Sequence, residues 1–112
     1  MINIKLDKTG GLTEALAHWQ EVLRQQPLAI DAHRAVTHLL AETRDTNEAL
    51  AHLKQAADRF PHHHPLHELW IEWSRDEPAE ARESVIRRVI AVHPDDAWVR
   101  RELALVLTDE RR

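Results

Sequence analysis

Residues 14–27, EALAHWQEVLRQQP, return as residues 48–61, EALAHLKQAADRFP, a displacement of 34 positions. Self-similarity at a period of about 34 marks stacked helical hairpins, because a single hairpin cannot bury its apolar face and must lean on the next. The repeat constrains fold first. It bears on function only through fold, since stacked hairpins expose a groove in which another protein can lie.

Apolar residues at i, i+3, i+4, i+7 spacing predict helices over about 12–25, 29–43, 47–59, 65–75, 79–92 and 96–108. Leu12, Leu16, Trp19, Val22 and Leu23 share the first face, with Ala15 beside them. Ile30, Ala32, Val36, Leu39 and Leu40 share the second, and Ala49, Leu50, Leu53, Ala56, Ala57 and Phe60 the third. Leu66, Leu69, Trp70 and Trp73 follow, then Val85, Ile86, Val89 and Ile90, then Val99, Leu103, Val106 and Leu107. Thr13, Asn47, Asp76 and Asp95 or Asp96 stand where a side-chain oxygen can cap a helix start. Pro27, Pro61 and Pro94 follow helices, where a residue without an N–H ends the ladder. Short connections make neighbouring helices antiparallel, so the expected class is all-α.

The 112 residues suffice for one domain with a continuous core. A net charge of −4 gives no basic face for nucleic acid. No apolar run reaches the ~18 residues of a membrane span, and residues 1–11 lack a signal-peptide core. With no cysteine there is no disulfide or thiolate site, which is compatible with a cytoplasmic location. Gly10 and Gly11 are the whole glycine inventory, so no phosphate loop can form. Serine occurs only at Ser74 and Ser84, and the carboxylates lie along helix surfaces, as at Glu80 and Glu83 near Arg87. Nothing arranges a nucleophile, a base and an orienting group, so catalysis and cofactors are not expected.

The second helix of each hairpin repeats a small residue, a large apolar one four later, a small one three after that and a proline five further on. The series reads Ala15, Trp19, Val22, Pro27, then Ala49, Leu53, Ala56, Pro61, then, displaced by 33 residues and lacking the first small residue, Arg82, Ile86, Val89, Pro94. The first-helix positions read His33, Val36, Thr37, Leu40, then His67, Trp70, Ile71, Ser74, then Arg100, Leu103, Ala104, Leu107. On these residues the chain resembles the tetratricopeptide repeat family over about residues 12–108, although the family's first helices favour Trp, Leu, Gly and Tyr at the latter positions. The resemblance implies an α-solenoid of about six antiparallel helices with right-handed superhelical stacking. It also implies a scaffold for protein–protein interaction, from a bacterial cytoplasmic protein. Residues 1–11 read as a tail or truncated first helix, and 109–112 as a C-terminal tail. Ile2 and Leu6 fit a short helical turn over Trp19, while Ile2, Ile4 and Leu6 alternate like a strand. A start at Met1 and a stop at Arg112 just past a helix suggest the N-terminal domain of a longer protein.

In that family the ligand lies on the concave face of the first helices. Carried over, the face comprises Asp31, Arg34, His38, Ala41 and Glu42, then Glu68, Glu72 and Arg75, then Trp98, Arg101 and Leu105. Family members that grip a chaperone carboxylate place Lys, Asn and Arg at such positions. Two Glu here favour a protein or peptide carrying a basic residue. A merely solvated polar face accounts for the same residues, and Trp98 fits either an anchor or simple packing. A second function class is homo-oligomerisation through uncovered repeat edges around Trp19 and Leu103. A third is metal or pH response through His62, His63, His64 and His67, from a total of nine histidines. No HExxH spacing occurs and Pro61 and Pro65 break the run, so no metal site is expected. His18 and His52 occupy one repeat position, as stacking alone would produce.

Overall fold

The computed structural model describes residues 4–110, with side chains from residue 11 to residue 109. Every regular element among them is an α-helix: α1 (Ile4–Gln25), α2 (Ile30–Thr43), α3 (Thr46–Arg59), α4 (His64–Ser74), α5 (Ala79–Val92) and α6 (Ala97–Glu110). Two compact units divide the chain, residues 1–55 and 56–112, with α3 running across the boundary. In the first unit α1 packs along α2; in the second α4 packs on α5 and α5 on α6.

The main departure from the expected boundaries is at the start. α1 begins at Ile4, not near residue 12, so Ile4 and Leu6 are helical backbone and not an alternating strand. Two interior glycines cost a helix about 1 kcal/mol each, but no proline stands before Pro27 to stop it. Ile2 and the side chains of Ile4 and Leu6 lie outside the described residues. At the other end α6 reaches Glu110, two residues past the expected stop.

Capping also differs in detail. Asp96 Oδ1 accepts the Val99 N–H at 3.2 Å and caps α6 as expected. The cap of α3 is Asp45, whose Oδ1 accepts the Glu48 N–H at 2.8 Å, not Asn47. Thr13 lies inside the lengthened α1, and α5 starts after Pro78 without a side-chain cap from Asp76.

The repeat is visible in what is buried. Ala49, Leu53 and Ala56 are buried, and so are two of the three first-helix sets, His33, Val36, Thr37 and Leu40, then His67, Trp70, Ile71 and Ser74, whereas Arg100 and Ala104 of the third are exposed. The buried stripe of α2 is thus rotated from the purely apolar face, leaving Ile30 and Leu39 half-exposed. Most buried polar groups in folded proteins are hydrogen-bonded. Thr37 Oγ1 donates to the His33 carbonyl at 2.6 Å, and Ser74 Oγ to the Ile71 carbonyl at 2.8 Å.

Candidate partner-binding face

In the second unit two pairs of side chains tie α4 to α6. His64, in the first turn of α4, has Nδ1 3.5 Å from Glu68 Oε1, and its Nε2 contacts Asp96 Oδ2 at the start of α6. Burial pushes the Asp96 carboxyl upward, but the Val99 amide and His64 outweigh it and hold it below the usual carboxylate range. Just past the other end of α4, Arg75 Nε and Nη2 lie 3.3 and 3.2 Å from the two carboxylate oxygens of Glu102. Glu102 is only 5% exposed, so this two-point pairing is what makes its charge tolerable there. The Arg75 guanidinium also lies 5.9 Å from the Trp98 ring.

The second-unit residues expected on the face are therefore neighbours in part. Arg75 and Trp98 meet directly, and Glu68 joins through His64 and Asp96. Glu72 and Arg101 are exposed, Trp98 is half-buried, and Leu105 keeps 45% of its surface in solvent. Arg75 is less available than its position suggests, because Glu102 holds it. Glu102 was not foreseen: its carboxylate gives no sign in sequence that an arginine 27 residues away will cover it. In the first unit Asp31, Arg34, His38 and Glu42 are exposed on α2, and Ala41 is half-buried. Arg34 and His38 stand one 34-residue repeat before Glu68 and Glu72.

The histidines divide by environment. His64, His67 and His93 cluster, with His93 centred 5.4 Å from His64 and 5.2 Å from His67. Burial pushes His67 below its ordinary pKa, and His67 Nδ1 donates to the His63 carbonyl at 3.1 Å. Nε2 of His63 and Nε2 of His93 are buried without a hydrogen-bond partner, while His62 is exposed. Among the described residues no group of three or more His, Asp or Glu side chains is arranged to hold a metal. His64 points to carboxylates and His67 to a backbone carbonyl, which leaves His62 and His63 without converging partners.

His18 and His52, alike in the repeat, differ in three dimensions. His18 stands in solvent 3.9 Å from Glu14, whereas His52 Nε2 lies 3.1 Å from His33 Nδ1. His33 Nε2 donates to the Pro27 carbonyl at 2.7 Å, which leaves Nδ1 as the acceptor and His52 Nε2–H as the donor. A cavity of about 230 Å³ in the second unit is walled by Ala57, Pro61, His67, Trp70, Val92 and the ion pair of Asp58 with Arg88 at 2.5 Å.

Among the described residues no helix is long and apolar enough to cross a membrane. Compared with family models, curated proteins and solved structures, the chain matches none of them significantly.

Proposed function

We propose that the chain is a protein-interaction scaffold of tetratricopeptide-like hairpins, with its partner lying across α4 and α6 of the second unit. The carrying observation is the clamped pair of helices: His64–Asp96 and Arg75–Glu102 hold α4 beside α6. Glu68, Glu72, Trp98, Arg101 and Leu105 line the exposed margin of that pair. With Arg75 turned to Glu102, the outer stripe of α4 is acidic. It suits a peptide with a basic residue near Glu72 and an apolar one against Trp98 and Leu105. Arg34 and His38 hold the equivalent repeat positions on α2 of the first unit. The proposal includes a cytoplasmic setting and assigns no catalytic step.

The test compares wild type with Glu72→Lys and with Leu105→Asp as baits, both at solvent-exposed positions where folding tolerates the change. Recovered partners are then titrated as synthetic peptides. Loss of binding at least about tenfold in both variants, some 1.4 kcal/mol, supports the face. Equal affinity for all three proteins removes it.

A further inference from the structure

The repeat supplies two equivalent helix pairs to compare, and they differ in what is covered. Within the second unit α4 packs on α5. The stripe of α4 formed by Trp70, Ile71 and Ser74 is buried, as are Ile86 and Val89 of α5. One repeat later, α6 presents Leu103, Ala104 and Leu107 at the positions of Trp70, Ile71 and Ser74. There Ala104 is exposed and both leucines are half-exposed, although Val99 and Val106 on the adjoining stripe are fully buried. In α1, Trp19 and Val22 occupy the positions of Ile86 and Val89, and both are half-exposed. The positions buried on α4 and α5 thus recur only partly covered, one set on α6 and the other on α1.

We infer that copies of this chain associate head to tail, α1 of one copy docking on the Leu103–Ala104–Leu107 stripe of the next as α5 docks on α4. Ala104 is smaller than its equivalent Ile71 and Trp19 larger than its equivalent Ile86, a small-for-large exchange that keeps the volume to be packed similar. A contact between two different faces is heterologous, so it propagates to a ring or an open chain and does not stop at a two-fold dimer. This stripe is distinct from the Trp98–Arg101–Leu105 margin, so the inference stands independently of the proposed partner face.

Sedimentation velocity over a wide concentration range tests it. Wild type should exceed the 13.0 kDa of one chain progressively as concentration rises. Ala104→Arg blocks only the α6 face and Val22→Arg only the α1 face, so each alone should stay monomeric. An equimolar mixture of the two should give a 1:1 dimer that grows no further, because one intact face of each kind remains. Trp19→Ala, which removes the largest contact without adding charge, is a second α1 variant, and circular dichroism checks that all of them fold. A wild type that stays monomeric throughout overturns the inference. So does a mixture that fails to pair, or a folded single-face variant that assembles as wild type does.

Discussion

Acid should destabilise the first unit through one imidazole. Burial, helped by neighbouring His33, pushes His52 from 6.5 down to about 4. Because this pKa lies lower in the folded state than in the unfolded chain, the folded state binds fewer protons. Stability is therefore fully present above 6.5, falls as pH drops below it, and levels off near 4, where both states carry the proton. Fully expressed, that displacement corresponds to about 3 kcal/mol. His52 is only half-buried, and solvent screening brings the expected loss to roughly 2 kcal/mol. The perturbation is His52→Gln, which keeps an N–H to offer His33 Nδ1 but does not titrate. Urea unfolding of both proteins at a series of values from about pH 7.5 to about pH 4 gives the difference curve, in which other titrating groups cancel. Wild type should lose roughly 2 kcal/mol more than the variant across that window. Parallel curves for wild type and His52→Gln would refute the assignment of this burial cost to His52.

Arg75→Ala should cost roughly 1–3 kcal/mol in urea unfolding, since it strands the buried Glu102 carboxylate. Arg75→Ala with Glu102→Leu should recover most of that loss. Leu53→Ala should cost about 2–5 kcal/mol at a fully buried site, whereas Leu105→Ala should stay within about 0.5 kcal/mol. Asp45→Ala and Asp96→Ala should each lower stability by about 1 kcal/mol through loss of a helix cap. Asn47→Ala should change little, because Asp45 does the capping at α3.

The association inferred for α1 and α6 and the partner face on α4 and α6 can be separated by experiment. Glu72→Lys should leave the sedimentation profile of wild type intact, and Ala104→Arg should leave peptide affinity intact. A single substitution that abolishes both would place the two activities on one surface.

Helical class and the buried repeat positions were legible in sequence, because 3.6-residue periodicity and proline punctuation act within one turn of chain. Ala49, Leu53, Ala56, Leu66, Leu69 and Trp70 are buried where the spacing places them. Apolar spacing read from Leu12 misjudged the start of α1, since the two glycines before it weaken a helix without ending it. What tertiary structure alone decided is which polar group meets which. His18 and His52 are identical by repeat, yet one stands in solvent and the other is hydrogen-bonded to a ring 19 residues away. Glu102 looks like surface charge in sequence and is buried because chain reversal brings Arg75 across 27 residues to cover it. Periodicity determines which side of a helix turns inward; the neighbours that side acquires depend on contacts closed only when the hairpins stack.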